Sequence, residues 1–219
     1  MAGDSGPGES NTTRVARREE FETAYRMITP AWEIGRPQRA FLELMISGKI
    51  TGRVLDVGCG SGEHALMAAA VDLEAVGIDT SPTAIDFAAK KSHERGFPAR
   101  FIVFDALRLD ELGERFDTVL DCGMFHNFDN DERELFAAGI RSVLRPGGSY
   151  FMLCFSDERR RIGAARTVSR AEIRDTFSAG FRIDTIESAH IEENNSESVP
   201  AWLAMIRRID TSHDFTAIQ

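Results

Sequence analysis

Apolar positions along this chain follow two alternating rhythms. Short, almost wholly apolar runs give way to stretches in which apolar residues return every three or four positions. The runs at residues 53–57, 74–78, 100–104, 116–121 and 149–155 read as buried strands. Between them, Ile85, Ala88 and Ala89 mark the inner face of one helix, and Phe136, Ile140, Val143 and Leu144 that of another. Ser81-Pro82 sets a capping side chain ahead of proline at the first helical position. Ser169-Arg170-Ala171-Glu172 has the capping-box spacing and opens a helix with Ile173 and Phe177 inward. Before the first strand, Phe21, Tyr25 and Ile28 predict a helix over about 14–28. A second starts at or just after Pro37, with Phe41, Leu44 and Met45 inward. Two apolar-rich strands, near 181–188 and 199–209, close the chain, joined by a turn and not a helix. Alternating strands and helices predict an α/β fold, a doubly wound parallel sheet covered on both faces, with an antiparallel hairpin at one edge. One domain covers residues 14–219, and the polar, glycine-rich residues 1–13 read as a disordered tail.

The first strand runs into Val57-Gly58-Cys59-Gly60-Ser61-Gly62-Glu63. Glycines at a strand-to-helix turn let the chain bend sharply and let a ligand lie against bare main chain. The pattern is G-x-G-x-G, and Glu63 stands where a dinucleotide site wants its third glycine. A pyrophosphate on a helix N-terminus disfavours a carboxylate there, so a ligand without phosphates suits this turn better. Acidic residues mark the strand ends that follow. Asp56 lies inside the first motif, and Asp79 comes 21 residues after Gly58, where a Rossmann-type fold grips a ribose diol. Asp105 ends the third strand, placed to accept a hydrogen bond from an adenine amino group.

These motifs, continued through Phe116-Asp117-Thr118-Val119-Leu120-Asp121 and Leu144-Arg145-Pro146-Gly147-Gly148, strongly resemble the class I S-adenosylmethionine-dependent methyltransferases. The resemblance covers roughly residues 51–155. It implies a Rossmann-like, seven-stranded sheet in the order 3-2-1-4-5-7-6 with the last strand antiparallel. It implies S-adenosyl-L-methionine as cofactor, S-adenosyl-L-homocysteine as product, and a cofactor site of Asp56, Gly58, Gly60, Gly62, Asp79, Thr80, Asp105, Ala106 and Asp121. The segment Thr29-Pro30-Ala31-Trp32-Glu33-Ile34-Gly35-Arg36-Pro37 is similar to the P-W-[DE]-x-G-R-[PA] segment of the thiopurine, thiol and halide methyltransferase group, with Ala31 as an inserted residue. There the segment is part of a lid over the cofactor. Carried over, residues 14–50 become N-terminal helices and lid, and Trp32 and Gly35 join the cofactor pocket. An aromatic face beside a sulfonium is physically sensible, because the ring quadrupole attracts the cation.

For the methyl acceptor, the stretch Cys122-Gly123-Met124-Phe125-His126-Asn127-Phe128 follows the fourth strand, beside the cofactor methyl in this fold. It lacks the N-P-P-[YF] and D-P-P-Y turns of enzymes that methylate exocyclic amines. His126 is the catalytic candidate, either as a base or as a group that orients the acceptor. Tyr25, Phe125, Phe128 and Phe155 suit a flat apolar acceptor, and Arg159, in the basic stretch 159–174, suits an anionic or oxygen-rich one. A base helps a hydroxyl of pKa about 10 more than a thiol of about 8.5. His64 reads as packing or a cofactor-edge contact and Cys122 as core. The expectation is methyl transfer to a hydroxyl, or a thiol, of a small aromatic or heterocyclic molecule. The bacterial heterocycle and quinone O-methyltransferases look closest, often acting in detoxification, with thiol or thiopurine S-methylation as the main rival.

Composition narrows the partners. The net charge of −9 disfavours a nucleic-acid partner, since phosphate neutralisation needs a basic face. The acidic balance and the lack of an appended recognition domain argue against a macromolecular acceptor. Glu63 and the missing second nucleotide-binding half argue against a nicotinamide dehydrogenase. A module that binds the cofactor without catalysis is the non-enzymatic alternative. The longest purely apolar run, residues 65–71, is too short for a bilayer, so no membrane partner is expected. Three cysteines, each in or beside a core motif, and an N-terminus without a secretory apolar stretch point to a reducing cytoplasm. No metal is expected, and the chain reads as a monomer or homodimer.

Overall fold

Strand β1 (Val54–Val57) is buried at every position, which places it at the centre of the sheet. A computed structural model of the chain describes residues 7–158 and 166–209. Parallel strands β2 (Ala75–Asp79) and β4 (Phe116–Cys122) pair with β1 on either side, with β3 (Ala99–Val103) beyond β2 and β5 (Leu144–Phe155) beyond β4. Strands β6 (Phe181–Glu192) and β7 (Ser198–Arg208) form the closing hairpin, and β7 runs antiparallel to β5. The sheet order is β3-β2-β1-β4-β5-β7-β6, as the resemblance implied.

Alternation along each strand builds two cores. Leu55, Val57, Val119, Tyr150, Met152, Trp202 and Ala204 face one side, against Phe136, Ile140 and Val143 of α5 (Asn130–Val143) and Ile173 of α6 (Arg170–Thr176). Val54, Leu120, Phe151, Leu153 and Leu203 face the other, against Phe41 and Leu44 of α2 (Arg39–Ile46) and Ala65 and Ala68 of α3 (Glu63–Ala69). Helix α3 is buried along its whole length, and α4 (Pro82–Arg95) sits on the β2 and β3 end of the sheet. Ser81 caps α4 as expected, with its Oγ accepting from Ala84 N (3.1 Å). The inner face of α4 is Ala84, Ile85 and Ala88; Ala89, expected inward, is exposed.

Helix α1 (Pro7–Met27) starts earlier than the sequence suggested, so residues 7–13 of the expected tail are helical; residues 1–6 lie outside the described residues. Proline suits the first helical turn, where no N–H partner is needed. Two polar clasps hold α1 in place. Glu22 accepts from Thr83 Oγ1 (2.7 Å), Thr83 N (3.3 Å) and Ser81 Oγ (2.6 Å), a carboxylate set on the N-terminus of α4. Arg17 donates to both carboxylate oxygens of Glu132 (2.5 and 2.9 Å) and to Asn127 O (2.6 Å). Strand β5 also starts earlier than expected, because Leu144 pairs with Phe116 before the register shifts at the glycines. The longer β6 carries the hairpin tip out to the segment 29–38. Among the described residues, no helix is long and apolar enough to cross a membrane.

Candidate active site

Strand order reverses between β2 and β4, on either side of β1, and the carboxyl ends of those strands open a crevice there. The turn after β1 bends through left-handed conformations at Gly58, Gly60 and Gly62 (φ 67°, 52° and 88°). A Cβ on Gly60 would lie 2.4 Å from Tyr25 Oη and 2.9 Å from Glu33 Oε1, so a side chain has no room there. Gly62 is close-packed for a different reason: its missing Cβ makes way for Ala88 and Phe101, where α3 leaves the turn.

A cavity of about 350 Å³ opens over this turn. At one end it is bordered by Gly58, Gly60, Ser61, Asp79, Thr80, Asp105 and Ala106. At the other are Phe21, Trp32, His126, Phe128 and Phe155. Asp79 accepts from Gly60 N and Ser81 N (both 2.9 Å), one on each carboxylate oxygen. Each oxygen keeps a second lone pair, so a diol can still be accepted. Burial raises the pKa of Asp79, and the two backbone donors oppose that rise. Asp105 caps the short 3₁₀ turn Ala106–Leu112 through Leu107 N (2.9 Å), and Arg18 of α1 approaches its other oxygen to 3.9 Å.

Several residues expected in the site stand behind the cavity wall. Asp56 is buried below the turn, where Oδ2 accepts from Ala65 N (3.1 Å) and Oδ1 has no partner among the described residues. Burial, with the charges of Asp79 and Asp121 adding to it, pushes its pKa up to about 7. Asp121 is equally buried and also pushed up to about 7; it accepts from Tyr150 Oη (2.7 Å) and Met124 N (2.8 Å), which shapes the loop after β4. Both carboxyls support the wall without bordering the cavity, and Gly35 and Gly62 do not border it either. Phe125 is a correction. Expected in the acceptor pocket, it lies fully in the core against Phe136 and Phe177, with Arg133 over its ring, because the 3₁₀ turn Phe125–Asn127 points it inward. Arg159 falls outside the described residues.

The N-terminal segment closes the cavity. Tyr25, expected beside the acceptor, stands over the glycine turn, where its Oη donates to Glu33 Oε1 (2.7 Å) and accepts from Trp32 Nε1 (3.0 Å). Burial, with the nearby Glu33 and Asp79 carboxylates, holds the Tyr25 phenol protonated. Trp32 meets Phe21 and Tyr25 edge-on and remains 44% exposed, so one face borders the cavity and the other meets solvent. Glu33 also accepts from Ser61 N (3.2 Å) and Ser61 Oγ, which ties the segment to the turn. Its position in the tryptophan motif was the signal that could have singled it out. Glu63, read as hostile to phosphate, is in fact neutralised by Lys91 (2.7 Å) and Arg95 (2.7 Å). His64 is structural: its Nε2 accepts from Gln38 N (3.1 Å) under the edge of Phe41, and burial pulls its pKa down to about 4. The segment is further held by the hairpin, where Gln38 exchanges two bonds with the Glu192 backbone (both 2.9 Å) and Asn194 bonds Ala31 O and Pro30 O (both 2.8 Å).

At the aromatic end, His126 stacks on Phe155 with ring centroids 4.1 Å apart. Its Nδ1 accepts from Phe155 N (3.2 Å). Strand β4 ends at Cys122 and Gly123 N bonds Leu153 O, so Phe155 N lies beyond the reach of the β4 ladder. A buried N–H without a partner costs about 1–3 kcal/mol, and His126 meets that need. Burial pushes the Cys122 thiol well up, which fits the reading of it as inert.

A seven-stranded sheet in this order, with a glycine turn and an acidic residue closing β2 at its switch point, defines the class I methyltransferase architecture. Residues 54–148 match the family model described as "Methyltransferase domain". The chain is 34% identical over 187 residues to the 2-heptyl-1-hydroxyquinolin-4(1H)-one methyltransferase of Mycobacteroides abscessus, covering 81% of this chain and 82% of that one. It is 30% identical to the probable thiol methyltransferase 2 of Arabidopsis thaliana, covering 69% and 68%. A chain solved in work on the conversion of a disulfide bond into a thioacetal group during echinomycin biosynthesis superposes with a TM-score of 0.81 at 36% identity, covering 89% and 94%. The chain belongs to the S-adenosylmethionine-dependent methyltransferases. Its cofactor is S-adenosyl-L-methionine, which supplies an activated methyl group on a sulfonium. The bare backbone of the glycine turn and the spare lone pairs of Asp79 fit that group.

Proposed function

We propose that this enzyme methylates a hydroxyl, or a thiol, of a small aromatic or heterocyclic molecule. The observation that carries this reading is the acceptor end of the cavity, where Phe155, stacked on His126, shares the wall with Phe21, Trp32 and Phe128. A flat ring buries well against such a wall, with few polar groups to fix its orientation. Asp79 and Thr80 hold the ribose, Asp105 and Ala106 border the adenine, and Trp32 covers the sulfonium end. The protein then acts chiefly by alignment and water exclusion. Alignment alone can supply about 7–11 kcal/mol of a displacement barrier. Tyr25 and Glu33 close the glycine turn against solvent, and His126 meets the acceptor.

The hydroxyquinolone relative supports an oxygen acceptor, and methylation of the quinone or heterocycle serves its detoxification. Sulfur is the second reading, favoured by the thiol methyltransferase relative and by the solved chain tied to disulfide chemistry. The enzyme works in a reducing cytoplasm, as a monomer or homodimer, without nucleic acid; its three free thiols support the compartment. A radiolabelled methyl-transfer screen over phenols, hydroxyquinolones, thiols and thiopurines tests the function. Label on a ring hydroxyl or thiol is the expected result. Label on none of them, with efficient labelling of protein or RNA, would overturn it.

A further inference from the structure

The bonds around Glu33 form one directed chain. Lys91 of α4 does not border the cavity; its Nζ donates to Ser61 Oγ (2.5 Å) and Glu63 Oε1 (2.7 Å) and stands 3.9 Å from Glu33 Oε2. Ser61 Oγ donates to Glu33 Oε2, Tyr25 Oη donates to Glu33 Oε1 (2.7 Å), and Trp32 Nε1 donates to Tyr25 Oη (3.0 Å). An ammonium and an indole N–H can only donate, and a carboxylate can only accept. Each hydroxyl between them has a single proton, so its direction is fixed. Ser61 takes from Lys91 and gives to Glu33, and Tyr25 takes from Trp32 and gives to Glu33. Gly60 makes room for this chain, since a Cβ there would strike both Tyr25 Oη and Glu33 Oε1. Glu63, bonded to Arg95 (2.7 and 2.9 Å), anchors the Lys91 end. At the other end, Trp32 borders the cavity and meets Phe21 and Tyr25 edge-on.

We propose that Lys91, Ser61, Glu33 and Tyr25 are positioning residues that hold the Trp32 ring over the sulfonium, and that the ring so held makes the site prefer the methyl donor to its demethylated product. The inference rests on the reading that Trp32 covers the sulfonium end of the cofactor. Donor and product share their adenosine and amino-acid parts, so contacts to those parts bind both alike. They differ in the methyl group and in the charge on sulfur. A ring face attracts the sulfonium and not the neutral thioether. The attraction needs the cation within about 6 Å of the ring centre, over its face, so a ring free to turn loses it. Lys91 separates two routes by sign, because its own charge repels a cation. Through space, removing that charge should favour the donor over the product. Through the chain, removing it frees Glu33 and Trp32 and should disfavour the donor.

Calorimetry with S-adenosylmethionine and S-adenosylhomocysteine reads the preference as a ratio of two Kd values. Lys91→Met keeps the stem and removes the ammonium. It should weaken donor binding about two- to fivefold more than product binding, the scale of a partly exposed cation–π contact. Glu33→Gln should shift the ratio the same way, because however its amide is turned, a donor from Ser61 or Tyr25 loses its acceptor. Arg53→Met breaks the ion pairs to Glu74 and Glu114 at the far end of β1 and controls for general loosening. It should keep the wild-type ratio, and an equal loss of preference there overturns the proposal. So does a ratio in Lys91→Met that is unchanged or moved towards the donor. The indole N–H signal of Trp32 in nitrogen NMR, told from that of the other tryptophan with Trp32→Phe, gives a reading without ligand. It should move in Lys91→Met as it does in Tyr25→Phe. A signal that stays in place in Lys91→Met overturns the proposal, whatever the activity. Trp32→Leu should lose the preference by the same factor. A ratio kept in Trp32→Leu would sink the reading of Trp32 at the sulfonium and the preference with it, and the indole signal would still decide whether Lys91 positions the ring.

Discussion

Asp79 does more in this structure than a ribose anchor needs to do, since it also holds Gly60 N and Ser81 N and so sets the glycine turn against α4. Asp79→Ala should weaken S-adenosylhomocysteine binding by at least ten- to a hundredfold, the scale of charged hydrogen bonds, as read by calorimetry. It should also lower the melting temperature of the unliganded protein, because two N–H groups lose their acceptor. An unchanged affinity would place the ribose elsewhere. His64 carries a pH-dependent contribution of definite sign. Its pKa is about 6.5 unfolded and about 4 folded, so the unfolded chain binds the extra proton. The stability that His64 lends is fully present above about pH 6.5 and is lost as the pH falls towards 4. Over that window the wild type should lose roughly 3 kcal/mol more than His64→Gln in urea unfolding. Parallel losses in the two proteins would show that burial does not hold His64 neutral in the folded chain.

The segment between α1 and α2 is held from two sides. Tyr25 and Glu33 tie it to the glycine turn, and Gln38, Arg36, Ala31 and Pro30 tie it to the hairpin at Glu192 and Asn194. The Arg36–Glu192 pair (2.9 Å) is exposed and contributes little in water, so the bonds to main chain carry most of the clasp. Asn194→Ala and Gln38→Ala should therefore speed limited proteolysis of the segment 29–38, near Arg36, several-fold, while Arg36→Lys should change stability hardly at all. In the wild type, S-adenosylhomocysteine should slow the same cleavage, as a lid over the cofactor requires. Equal cleavage rates with and without the ligand would mean that the segment is a fixed wall. The two helix starts at Ser81 and Ser169 were legible because a cap and its helix are neighbours in the chain. The early start of α1 was not, because its polar face is set by partners in α4 and α5.

The molecule as a whole couples its fold to its cofactor, since the cavity is walled by α1, the segment between α1 and α2, the ends of β1, β2, β4 and β5, and the hairpin. A ligand that binds only the folded chain stabilises it by about 2.7 kcal/mol at a hundred times its Kd. For a chain of 219 residues, this should raise the melting temperature by roughly 5–11 °C. S-adenosylmethionine and S-adenosylhomocysteine should produce that shift in a thermal scan, and NAD should not. A comparable shift with NAD would undo the cofactor assignment.

The sheet, the glycine turn and the acidic strand ends were readable in the chain itself. Each is a contiguous stretch whose pattern follows from the pleat, from the helix period or from a backbone bend that needs glycine. The strand order came with the family resemblance, because periodicity shows strands without showing their neighbours. Only the tertiary structure decided which candidate side chains meet. It buried Phe125, moved Tyr25 onto Gly60, put Asp56 and Asp121 behind the wall and gave His126 Nδ1 to Phe155. Gln38 meets Glu192 across 154 positions and Arg17 meets Glu132 across 115. Such contacts depend on how the elements pack, and no local pattern of apolar and polar residues encodes which distant polar groups will share one buried space.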